Sequence, residues 1–79
     1  MRLMMVQLRF GPHGTIDEHA AAWEIDVVCL EGEGTTTVDG IAEPIHAGET
    51  IRWPAGKSHC LFTEDSTMVT LMVEHVDAR

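Results

Sequence analysis

At 79 residues the chain makes one domain, and one so small that it buries only about 60–65% of its unfolded surface. Thirteen acidic residues against five basic ones give a net charge of −8, which speaks against nucleic-acid and anionic-membrane partners. No signal peptide or membrane-spanning run is visible and the two cysteines, Cys29 and Cys60, do not form a disulfide framework. The expectation is therefore a reduced, cytoplasmic protein whose small core is supported by homodimer formation.

Strand signals dominate. Val6-Gln7-Leu8-Arg9-Phe10 alternates apolar and polar side chains, the pattern of a half-buried strand. Gly11-Pro12-His13-Gly14 predicts a turn, and Asp17 to Glu24 reads as a loop. Ile25 to Leu30 is rich in β-branched residues and predicts a buried strand. Glu31-Gly32-Glu33-Gly34 marks a turn or bulge, Thr35 to Val38 a strand, and Asp39-Gly40 a tight hairpin. Ile41 to His46 is the return strand, with Pro44 hinting at an edge. Ile51-Arg52-Trp53, His59 to Thr63 and Thr67 to Glu74 follow, and Val76 to Arg79 are expected to fray. Some eight short strands separated by turn residues predict an all-β barrel or sandwich.

The segment from Gly48 to His59 is the most informative. Gly48 and Gly56 suit turn dihedrals, Pro54 fixes φ, and His59 opens the following strand with its backbone held on both sides. Gly48, Pro54, Gly56 and His59 match the second motif of the cupins, G-x5-P-x-G-x2-H-x3-N, with Thr63 at the usual asparagine. The cupins' first motif, G-x5-H-x-H-x3–4-E-x6-G, is matched in part. Gly14 and His19 stand near its opening, with His19 one residue too close to Gly14, and Leu30-Glu31-Gly32 fits its end. Ala21 stands at the second histidine and Ile25 at the glutamate. From about Val6 to Glu74 the chain thus resembles a small single-domain cupin, which implies a jelly-roll β-barrel.

That resemblance implies a metal held by three histidines and a carboxylate, of which only His19 and His59 stand in register. Glu24 and Glu18 are the nearest carboxylates that could add to them. Two imidazoles fall short of the usual three-ligand minimum, so one divalent transition metal (Fe, Mn, Ni, Zn or Cu) and no metal at all are equal expectations. Alternation places Ile25, Val27, Cys29, Ile51, Trp53 and Leu61 on the inner face with the two histidines, and Cys60 and Phe62 outside. Such a lining suits a small, partly apolar ligand. His13, His46 and His75 are read as solvated, and Trp23 as a lid over the mouth. Apolar residues on the N-terminal strand (about residues 2–10) and on the outer face predict that two chains pack sheet on sheet or exchange first strands.

Three functions follow as expectations: a small-molecule-binding cupin with a degenerate metal site, a metal-dependent enzyme of dioxygenase-like or isomerase-like chemistry, and a structural module with a filled barrel. The missing histidine and glutamate favour the first.

Overall fold

One long strand organises the molecule. In the computed structural model, which describes residues 2–76, Ile25–Val38 forms a single 14-residue strand, the third of seven. The others are β1 (Arg2–Phe10), β2 (Thr15–Ala20), β4 (Ile41–His46), β5 (Thr50–Trp53), β6 (Ser58–Phe62) and β7 (Met68–Val76). All pair antiparallel, and there is no helix among the described residues.

The N-terminal half of β3 lies between β5 and β7, with β1 outside β7. Its C-terminal half lies between β4 and β6, with β2 outside β6. The sheet therefore curls into a half-barrel of two layers that share β3. The bend is a β-bulge. Register against β7 shifts between Cys29 and Glu31, and Gly32 adopts a φ of 76°. A Cβ at Gly32 would run into the carbonyl oxygen of Thr67, so both dihedral and space require glycine. The Glu31–Gly34 segment is thus a bulge that joins the two strands expected at Ile25 to Leu30 and Thr35 to Val38 into one.

Two further differences from the sequence reading have physical causes. Asp17 to Glu24 is not all loop: Thr15 to Ala20 is strand β2, mostly exposed along one rim and so lacking the apolar alternation that reveals buried strands. Val76 closes β7 and is buried instead of fraying, while residues 77–79 lie outside the described part.

Residues opposite each other in an antiparallel pair share a face, so the inner lining can be read from the ladders. At one end Phe10, Met68 and Ile45 are all at most 9% exposed. At the other end the inward residues of the central strands, Ile25, Trp53 and His59, are buried, while those of the flanking strands are open: Met4 is 44% exposed and Ile41 71%. The half-barrel is closed below and open above. Thr63 secures the turn after β1: its hydroxyl donates to the carbonyl of Gly11 (2.6 Å) and accepts from the amide of Gly14 (2.9 Å).

Candidate functional site

His59 is the centre of the open end. It is the second residue of β6, just after the Pro54–Lys57 turn, and its side chain is fully buried. It pairs with Val38 on one side and His19 on the other, and Val38 pairs in turn with Ile41. Ile41, Val38, His59 and His19 thus form one inward rung across four strands.

His19 reaches this rung through a second bulge. Between the Ile16–Leu61 and His19–His59 pairs, β2 uses three residues where β6 uses two. The extra residue reverses the alternation and turns position 19 inward.

The three rings at the mouth form a cluster. Trp53 stacks on His59 with centroids 4.1 Å apart and an interplanar angle of 16°. His19 meets His59 edge-on at 4.6 Å and lies 6.4 Å from Trp53. His19 Nδ1 is 2.8 Å from the carbonyl oxygen of Asp17. A carbonyl only accepts, so Nδ1 carries a proton, and in the neutral form of the ring Nε2 is the acceptor.

Both ring nitrogens of His59 are buried without a protein partner, as is Trp53 Nε1. Burial pushes the His59 pKa down, and the neighbouring His19 adds to the shift, so the ring is neutral at neutral pH. The Thr36 and Thr70 hydroxyls are likewise buried and unpartnered. Five polar atoms without partners inside so small a core are a reserve of hydrogen-bonding capacity.

Of the residues singled out in the sequence, Ile25, Val27, Cys29, Trp53 and Leu61 are buried and Ile51 half-buried. Cys29 is a packed thiol: burial raises its pKa, and Sγ donates towards the Glu31 carbonyl at 3.4 Å. Glu24 accepts from Arg52 Nη1 at 2.7 Å, and Glu18 is exposed on β2.

Cys60 and Phe62 are half-buried, with Cys60 Sγ 2.6 Å from the Thr37 hydroxyl. His13 is exposed near Asp65, and His46 lies between Glu33 and Glu49. His75 is less exposed than expected because its Nε2 contacts Asp26 Oδ2 at 2.8 Å. The Arg52 guanidinium and then His75 hold the Asp26 carboxyl down at about 2, against the opposing effect of burial. Trp23 is half-buried with its indole donating to Glu74, so it is pinned to β7.

Sequence reasoning missed Val38, Ile41 and Thr36 as lining residues. Val38, Ile41, Ile51 and Pro54 form the apolar half of the lining of an open hollow of about 310 Å³ beside the rung; Asp39, Glu43, Arg52 and Lys57 form the charged half, and the His19 and His59 rings do not line it. The Asp39-Gly40 hairpin held the signal. It sets Val38 opposite Ile41, and the long-range pairing of β3 with β6 then joins them to His59.

A family model described as "Cupin domain" matches residues 6–74. The chain belongs to the cupin family. Among solved structures, a Cupin 2 conserved barrel domain protein from Leptotrichia buccalis is 29% identical with a TM-score of 0.88, over 91% of this chain and 35% of that one. RemF, a polyketide cyclase from Streptomyces resistomycificus, is 28% identical with a TM-score of 0.84, over 92% of this chain and 54% of that one. A predicted oxalate decarboxylase from Thermotoga maritima is 23% identical with a TM-score of 0.79, over 90% of this chain and 64% of that one, and shows the shared fold alone. The chain thus spans less than two thirds of each. No curated protein matches it.

This cupin does not present the metal-binding side chains its family often carries. Among the described residues, no three His, Cys, Asp or Glu side chains are arranged to hold a metal ion. Methyl and sec-butyl groups stand at Ala21 and Ile25, Trp53 covers one face of His59, and Glu24 is engaged by Arg52. The donor set does not fit a three-ligand site.

Proposed function

We propose that this cupin binds a small, neutral, partly apolar molecule at the open end of the half-barrel, beside His19 and His59. The observation that carries this reading is the pair of unpartnered, buried nitrogens on a neutral His59. One nitrogen offers a donor and the other an acceptor, and His19 Nε2 adds a second acceptor. The Val38–Ile41–Ile51–Pro54 wall supplies apolar contact area. An anion is disfavoured, since Arg52 and Lys57 at the rim are engaged by Asp26 and Glu24 and by Asp39. The likeness to a polyketide cyclase agrees with a ligand of partly apolar character.

A second reading, a divalent-metal-dependent enzyme, is favoured by one detail. The Asp17 carbonyl orients His19 as an outer-shell partner orients a metal-bound imidazole. The third reading, a filled structural barrel, draws on the stacking of Trp53 against His59.

Untagged protein and a His59→Ala variant separate the three. Trp53 sits against His59, so its fluorescence reports occupancy while a panel of neutral aromatic and aliphatic carbonyl compounds is titrated. Saturable binding by the wild type, weakened at least about tenfold in His59→Ala, is expected, because a lost buried hydrogen bond costs about 1–3 kcal/mol. Stoichiometric Fe, Mn, Ni, Zn or Cu that vanishes in the variant would establish the second reading instead. No saturable binding and no metal would leave the third.

A further inference from the structure

Glu74 stands where the pattern of β7 calls for an apolar residue. The inner face of that strand runs Met68, Thr70, Met72, Glu74, Val76, as their partners on β1 and β3 show. The other four are at most 9% exposed, and Glu74 is half-buried. β7 lies between β1 and β3, so it is not an edge strand that needs a charge to guard it. None of the ion pairs among the described residues includes Glu74. Its hydrogen-bond partner is a neutral group, the Trp23 indole, which donates from Nε1 to Oε1 at 2.9 Å. Turning a carboxylate inward costs desolvation that one indole offsets only in part.

Glu74 belongs to the same end of the half-barrel as His59. Glu74, Ile25 and Trp53 form one inward rung across β7, β3 and β5. Neighbouring strands lie about 4.8 Å apart, so the Glu74 and Trp53 backbones are about 10 Å apart along that rung. Trp53 carries His59 stacked on its ring. The carboxylate and the imidazole thus stand on two sides of one opening, at a separation that a substituted ring can bridge.

The Ala21–Glu24 segment lies at this end, leading from β2 to β3. The Ala21 carbonyl accepts from the Gly56 amide and the Glu24 carbonyl from the His75 amide, both at 2.9 Å. Trp23 sits between these anchors and packs against the core cluster. With the backbone held on both sides, the indole can leave Glu74 by rotating about its own side-chain bonds.

We propose that Glu74 is a ligand-binding residue of the His59 site, masked by Trp23 while the site is empty. The ligand swings the indole aside and donates a hydroxyl of its own to Glu74. This rests on the reading that a small molecule binds beside His59, and it names the class of that molecule: a neutral carbonyl compound that carries a hydroxyl. A carboxylate only accepts, so it requires a donor and repels a second carboxylate. At the other side, His59 can donate to the carbonyl. Exchanging one donor for another keeps the charge-assisted bond on Glu74, and the ligand also gives a His59 nitrogen the partner it lacks within the protein.

The test is a pair of probes, meta-hydroxyacetophenone and meta-methoxyacetophenone, titrated by tryptophan fluorescence. Wild type is expected to bind the hydroxyl compound at least about tenfold more tightly, the difference made by a hydrogen bond to a charged group. Glu74→Leu is expected to bring the two compounds to within about threefold of each other. Trp23→Phe keeps an aromatic cover, removes the competing N–H and leaves Trp53 as the reporter. It is expected to bind the hydroxyl compound about three- to tenfold more tightly than wild type does. Equal affinities in wild type, a hydroxyl preference that survives Glu74→Leu, or binding unchanged or weakened in Trp23→Phe would each overturn the proposal. If wild type binds other carbonyl compounds but neither of these two, the role of Glu74 falls alone. If it binds none, the reading of the site falls with it. Should Glu74→Leu fail to fold, Glu74→Gln keeps the size and one acceptor without the charge and is expected to cut the preference at least about threefold. An undiminished preference there overturns the proposal.

Discussion

His59 carries both the fold and the site, and its titration exposes the tension between them. In the folded chain its pKa lies below the ordinary 6.5, first because burial disfavours the imidazolium and then because His19 stands beside it. Below pH 6.5 the unfolded chain therefore binds more protons at this residue than the folded chain does. Stability from this group is complete above pH 6.5 and is lost as pH falls from there towards the lower folded value. Denaturant unfolding between pH 7.5 and 5 should show wild type losing more stability than His59→Asn, whose side chain keeps polar atoms without the titration. Equal pH slopes would mean that His59 is solvated in the folded protein. Asp26 does not interfere, since its held-down carboxyl titrates well below this window.

At the scale of elements, two bulges do what regular strands cannot. The first, at Cys29–Gly32, bends β3 so that one strand serves both layers. Gly32→Ala should cost at least about 2 kcal/mol, from the left-handed dihedral and the clash with the Thr67 carbonyl. Gly40→Ala, also at positive φ but with open space around its Cα, provides the control that separates the two costs. If both variants lose the same stability in urea unfolding, the contact with Thr67 is yielding and the bend needs only the dihedral.

The two bulges also show what was legible in the sequence. Gly32 marked its bulge, since a glycine inside a strand pattern signals a backbone special to that site. The bulge in β2 was hidden. Asp17 and Glu18 look like loop residues, and strand Thr15–Ala20 has too little buried surface to imprint alternation. His59, Trp53 and Leu61 could be placed because the turn Pro54–Lys57 fixes where β6 begins, and strand periodicity does the rest. Val38 and Ile41 could not, because their membership in the His59 rung depends on β3 meeting β6, a pairing between segments some twenty residues apart.

Across the whole molecule, stability and accessibility are divided between the two ends of the half-barrel, and β4 samples both. Ile41 and Ile45 lie on the same strand and the same inward face, four residues apart, yet Ile41 is 71% exposed and Ile45 is fully buried. Ile45 packs in the closed end, in the same core cluster as Phe10 and Met68. Removing most of its side chain leaves a cavity that a β-sandwich cannot collapse, so Ile45→Ala should cost about 2–5 kcal/mol. Ile41→Ala removes the same atoms from an open wall and should change stability by no more than about 0.5 kcal/mol. If the hollow it borders is where the ligand rests, Ile41→Ala should nonetheless weaken binding, by an amount consistent with the loss of apolar contact. Chemical denaturation of both variants, set beside ligand titration of Ile41→Ala, tests the division directly. Comparable stability losses at the two positions would mean that the open end is packed in solution, by a partner chain or by a tighter closure of β4 on β5, and that the site is less accessible than its geometry implies.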